Sequence, residues 1–142
     1  MPKKQEIVID TSAFFAGTKK LRSYIGRASK LSTIDLVIFE FTKAMETEIA
    51  RAEGSGRTRR LELLRGLRDR FPGLLQDLEI EVRSPEFSSA DVGRLYSMLS
   101  DGGCDSGDTM IWLKMQRVGL HTILTDNVSN WERLGAKVVD LG

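Results

Sequence analysis

Apolar positions in this chain fall into short runs separated by amphipathic stretches, and that alternation sets the expected architecture. Ile7-Val8-Ile9 is an unbroken β-branched run, which suits a strand buried on both faces. Asp10 follows at once, and Thr11 and Ser12 are residue types that open a helix. Phe14 to Ala28 then reads as a helix, with Phe14, Phe15, Leu21, Tyr24 and Ile25 apolar and Lys19, Lys20, Arg22 and Arg27 polar. Asp35-Leu36-Val37-Ile38-Phe39 predicts a second buried strand; Glu40 follows it, and a helix over Phe41 to Ala50 stops near Gly54-Ser55-Gly56. A further helix, Arg57 to Phe71, ends at Pro72-Gly73. Leu78-Glu79-Ile80-Glu81-Val82 alternates, which predicts a strand with one solvated face near a sheet edge. Helices are expected from Ser88 or Ser89, with Asp91 in the first turn, and from Gly107 to Val118. Thr122 to Thr125 reads as a fourth strand, a short helix passes through Trp131, and Ala136 to Asp140 reads as a fifth strand.

Strands alternating with helices predict an α/β domain, a three-layer α/β/α stack around a central, mainly parallel five-stranded sheet. The 142 residues, 41% hydrophobic, are enough for a single domain spanning 1–142 that needs no covalent staples. Cys104 is the only cysteine, so no internal disulfide can form and a reducing, cytoplasmic compartment is expected. No apolar run approaches the ~20 residues that span a bilayer, and Met1-Pro2-Lys3-Lys4 leads into a strand with no signal-peptide core, so no membrane association is expected. A net charge of +1 is indifferent to nucleic acid; only its distribution can matter.

Four acids stand at strand or helix ends. Asp10 and Glu40 each follow an apolar run, Asp108 lies in the first turn of its helix, and Asp126 follows Thr125. Strand C-termini in a parallel sheet point one way, so these acids are expected to share a cleft. A carboxylate set without His or Cys is what a hard cation such as Mg²⁺ or Mn²⁺ takes, whereas zinc would need the isolated His121 and Cys104. The chemistry implied is metal-assisted phosphodiester hydrolysis, with Asp10, Glu40, Asp108 and Asp126 as both catalytic residues and metal ligands. For Asp10 a plain helix-capping role competes with this. Thr11 and Ser12 either cap or orient a water, with Thr125 beside them. Asp105 is placed to cap the Asp108 helix or to support the metal. Glu46 and Glu48 read as a solvated helix face.

These motifs resemble the PIN domain, a family of metal-dependent ribonucleases that includes VapC-type toxins. Ile7 to Phe15 is similar to the family's opening strand-Asp-Thr-Ser, and Ile38-Phe39-Glu40-Phe41 to its second-strand glutamate. Gly107 to Met115 resembles the helix of the third acid, and Ile123-Leu124-Thr125-Asp126-Asn127 the closing Thr-x-Asp region. The family often sets its last acid two residues after the threonine; here that place is Asn127 and the acid is Asp126, which leaves the fourth ligand open between them. The resemblance implies an endoribonuclease using Mg²⁺ or Mn²⁺, a stand-alone toxin with an antitoxin partner, and a homodimer. An RNA-processing nuclease without an antitoxin, or a non-catalytic RNA- or protein-binding module, are the other readings.

RNA also requires positive charge. Seven arginines lie between Arg51 and Arg70, and with Lys19, Lys20 and Arg22 they are candidate contacts, Arg57, Arg59 and Arg60 above all; ordinary solubilising charge is the alternative. The Leu61, Leu64, Leu67 and Phe71 stripe reads as core or as a docking face, Trp112 as core, and Trp131 as the aromatic closing the last loop. A dehalogenase-type phosphatase would need an acid where Ser12 stands, and neither a phosphate-binding loop with its lysine nor a dinucleotide fingerprint is present.

Overall fold

The computed structural model of the chain describes residues 5–26, 30–102 and 105–142. The expected helix end at Arg27-Ala28, the segment Met1 to Lys4 and Cys104 lie outside the described residues. Five parallel strands, β1 (Glu6–Ile9), β2 (Lys30–Ile34), β3 (Glu81–Arg83), β4 (Thr122–Thr125) and β5 (Lys137–Asp140), form one sheet in the order β3-β2-β1-β4-β5. Helices complete a three-layer α/β/α stack: α1 (Thr11–Ala16), α2 (Thr18–Ile25), α3 (Asp35–Gly54), α4 (Thr58–Asp77), α5 (Ser89–Ser100), α6 (Ser106–Arg117) and α7 (Val128–Leu134). No helix among the described residues is long and apolar enough to cross a membrane.

The largest departure from the sequence reading concerns Asp35 to Phe39, which is helix and not strand. A short apolar run does not distinguish the two by itself. What decides is the longer period: Val37, Phe41, Met45, Ile49 and Ala52 are all buried, one i, i+4 stripe facing the core, while Phe39 points outward and is 60% exposed. The strand lies just before, where Leu31, Ser32, Thr33 and Ile34 are all buried. Glu40 therefore enters the site from the second turn of a helix.

The other departures are smaller. Phe14 to Ala28 is not one helix, because Gly17 at φ 95° breaks it into α1 and α2 in a conformation that residues with a Cβ rarely adopt. Helix α4 runs through Pro72 to Asp77: Leu64, Phe71 and Leu74 stay on one buried face, and that burial offsets the hydrogen bond proline cannot make. Leu78 to Ile80 is consequently the turn after α4, with Glu79 at φ 52° and Ile80 N–H donating to the Leu75 carbonyl, and β3 shortens to Glu81–Arg83. Its place at the sheet edge is as expected.

A dense aromatic cluster joins α1, α3 and α4. Phe14 lies 5.0 Å from Phe71 and 5.6 Å from Phe41, and Phe41 and Phe71 are 4.5 Å apart. This packing fixes the start of α1, and with it the end of β1, against the helix that carries Glu40.

Candidate metal centre

The order in which strands are added reverses about β1: the connections after β1 and β2 build toward β3, while β4 and β5 lie on the other side. The crevice outside the C-terminal ends of β1 and β4 is the switch point where α/β sheets bind ligands. Asp10 follows β1 and is 6% exposed; Asp126 follows β4. The register Ile9 opposite Leu124 brings Asp10 beside Thr125, whose buried hydroxyl donates to Asp10 Oδ2 at 2.7 Å. The Trp131 indole N–H donates to the same oxygen at 3.3 Å. Asp10 is the residue before α1, but its carboxylate makes no cap of that helix.

Asp108 sits in the first turn of α6. Asp105 caps that helix, accepting the Asp108 N–H at 3.0 Å, and the Asn130 amide donates to Asp108 Oδ2 at 2.6 Å. Glu40 meets α6 at Gly107, where a Cβ would fall on Glu40 Oε1 and lie 3.1 Å from Asp105 Oδ1. A glycine is thus what lets the α3 carboxylate reach this helix.

The electrostatics show which acids share a field. Burial raises the Asp10 pKa, partly opposed by Thr125, Thr11 and Trp131, and the charge of Asp126 raises it further. Burial also raises Glu40, with Asp10 and Asp105 adding to the effect. Asp108 is pushed up to about 7 by burial and by the charges of Asp10, Asp105 and Glu40, only partly offset by Asn130. Asp10, Glu40, Asp105 and Asp108 therefore repel one another across a common space.

Asp126 differs. Its residue is exposed, and its backbone N–H donates to Ser12 Oγ at 3.2 Å. Asn127 is exposed too, its backbone N–H going to Thr125 Oγ1 at 3.1 Å. Ser12 Oγ lies 3.4 Å from Thr125 Oγ1. Sequence reasoning missed Asn130 altogether and gave Trp131 no part in holding Asp10.

Among the described residues, no three His, Cys, Asp or Glu side chains stand close enough to form a ready-made metal cage. The donor set nonetheless fits a hard divalent cation, being all oxygen, negatively charged and, among the described residues, short of compensating cations. Beside Asp10, moreover, Thr11 Oγ1 is buried with no hydrogen-bond partner among the described residues, an orphan that water would satisfy.

The basic arm is more neutral than its sequence suggests. Arg51 and Arg60 pair with Glu48, Arg65 with Glu53 and Arg68 with Asp69, while Arg57, Arg59, Lys19 and Lys20 are exposed. Of the leucine stripe, Leu64 and Phe71 are core; Leu64 and Leu67 also border an open cavity of about 560 Å³, together with Phe15, Ala44, Glu48, Arg60 and the 60% exposed Leu63, which lies outside the stripe.

Two solved structures share this architecture. VapBC2 from Rickettsia felis, crystallised bound to a DNA fragment from its promoter, superimposes with a TM-score of 0.63 at 13% identity, over 96% of this chain and 98% of that one. PAE2754 from Pyrobaculum aerophilum gives 0.54 at 18% identity, over 95% and 84%. The fold is PIN-like. No family model and no curated protein matches the sequence.

Proposed function

We propose that this chain is a metal-dependent endoribonuclease that cleaves single-stranded RNA, the toxin of a VapBC-like pair acting in the cytoplasm. The observation that carries the reading is the trio Asp10, Glu40 and Asp108, brought from β1, α3 and α6 to the switch point and held there with raised pKa values. Such a cluster costs stability in the absence of a cation, and function is the usual reason for retaining it. Asp10, Glu40 and Asp108 would hold Mg²⁺ or Mn²⁺, with Asp126 completing the set. The bound ion supplies an activated water and neutralises charge on the phosphate under attack. Thr125 and Trp131 hold Asp10, Asp105 holds the first turn of α6, and Thr11 and Ser12 bind the waters that fill the open spacing. Asn127 borders the site without an acid of its own.

Exposed Arg57, Arg59, Lys19 and Lys20, together with Arg60, support RNA contacts, and the open cavity at Leu63 and Phe15, edged by Glu48 and Arg60, supports docking of an antitoxin segment. A homodimer follows from the resemblance alone. A non-catalytic module is favoured by one observation, the lack of a closed cage of acids among the described residues. Cleavage of RNA with Mg²⁺ or Mn²⁺, comparing the wild type with Asp10→Asn, separates the readings. We expect loss of cleavage in the variant, and metal-independent cleavage untouched by the substitution excludes the mechanism.

A further inference from the structure

Sequence spacing directs attention to Asp126 and Asn127 as the last members of the site, yet both are exposed and their backbone N–H groups bond Ser12 and Thr125. The groups that reach the buried acids come from further along, in α7. Asn130 donates to Asp108 Oδ2 at 2.6 Å, and its neighbour Trp131 donates to Asp10 Oδ2 at 3.3 Å. Two successive residues thus contact two carboxylates borne on different elements, the end of β1 and the first turn of α6. Thr125 also donates to Oδ2 of Asp10, so that oxygen is doubly occupied, and among the described residues no side chain donates to the Oδ1 atom of either acid.

We propose that Asn130 is a positioning residue for Asp108, its amide fixing one carboxylate oxygen so that the other is presented to the cation, with the Trp131 indole doing the same for Asp10. The inference rests on the metal-centre reading above. Its physical basis is directional. A carboxylate in a repelling cluster turns away from its neighbours unless a donor holds it, and a neutral N–H holds it without cancelling the charge the cation needs. Trp131 is fully buried and Asn130 half-buried, so both donors are themselves held in place.

The test is Mn²⁺ titration of the full chain by calorimetry for wild type, Asp10→Asn, Asn130→Leu and Trp131→Phe, with melting temperatures measured without metal. Leucine keeps the branched shape of asparagine with two methyl groups in place of the amide oxygen and nitrogen, and phenylalanine retains most of the tryptophan's packing, so each removes chiefly a donor. Asn130→Leu is expected to weaken Mn²⁺ binding roughly 10- to 100-fold, as loss of an outer-sphere hydrogen bond does, without lowering the melting temperature. Trp131→Phe is expected to weaken it by a smaller factor. On RNA, kcat should fall in Asn130→Leu while KM is unchanged. Mn²⁺ affinity within twofold of wild type in a folded Asn130→Leu overturns the proposal while leaving the metal centre standing. Wild type that binds no Mn²⁺ at millimolar concentration overturns the metal centre, and the positioning role with it.

Discussion

Glu6 and Asp10 stand at the two ends of β1, and the protein surrounds them in opposite ways. Burial pushes Glu6 up, but the Ser32 hydroxyl and the Arg83 guanidinium both donate to it, Lys30 adds charge, and the net pKa is lowered. Asp10 is more deeply buried and receives only neutral donors, while the nearby charge is negative, and its pKa is raised. Same strand, same chemical group: one end is a completed ion pair, and the other has no cationic partner among the described residues. The contrast supports the C-terminal end of the sheet as the candidate site without appeal to any relative, because a buried carboxylate short of a counter-ion in a crevice is the kind of group a proposed cation would compensate.

The comparison is tested most strongly by pH. For Asp108, with a folded pKa of about 7 against an ordinary 3.8, the folded state holds a proton that the unfolded chain has released between those values. Metal-free stability should therefore be greatest near pH 4 and fall as pH rises toward 7, by about 2–4 kcal/mol from this group. Asp10 and Glu40 act in the same direction. Asp108→Asn should flatten the fall, and millimolar Mn²⁺ should reverse it; urea unfolding at a series of pH values reads both. A metal-free stability that rises across this window would show that the cluster is compensated after all.

A second test separates the site from the scaffold. Gly107→Ala places a methyl where Glu40 Oε1 now lies, and a glutamate tip moves easily. Folding stability should change by less than about 1 kcal/mol, while Mn²⁺ affinity falls roughly tenfold, as for other disturbed metal ligands. Equal affinity in the folded variant would remove Glu40 from the centre.

What could be read from sequence divides along the same line. Asp10, Glu40 and Asp108 were legible because each abuts an apolar run or a helix start, signals that survive errors in naming the element. Glu40 stands out from the sequence although the strand expected before it is helix, since Leu36 to Phe39 is too short a run to reveal its period without Met45, Ile49 and Ala52. Asn130 was not legible, because its role depends on the turn from β4 into α7 rather than on any spacing. Nor was the partial pairing of the arginine arm, which is set by contacts such as Arg65 with Glu53 across the α3–α4 turn.

The smallest expected effect probes the completed end of β1. Glu6→Gln removes the charge that Arg83 binds through both carboxylate oxygens, at 2.9 and 3.0 Å. The pair is only partly buried, so the cost is about 1 kcal/mol. Its pH signature runs against that of Asp108: the folded pKa of Glu6 lies below 4.5, so its contribution is full above that value and is lost as pH falls through the folded pKa. Wild type and Glu6→Gln should therefore converge in stability at low pH and separate above about pH 5, whereas wild type and Asp108→Asn separate as pH approaches 7. Two difference curves of the same sign would mean that the ends of β1 are not electrostatically distinct. Opposite curves would tie the instability to the end of the strand where the cation is proposed to bind.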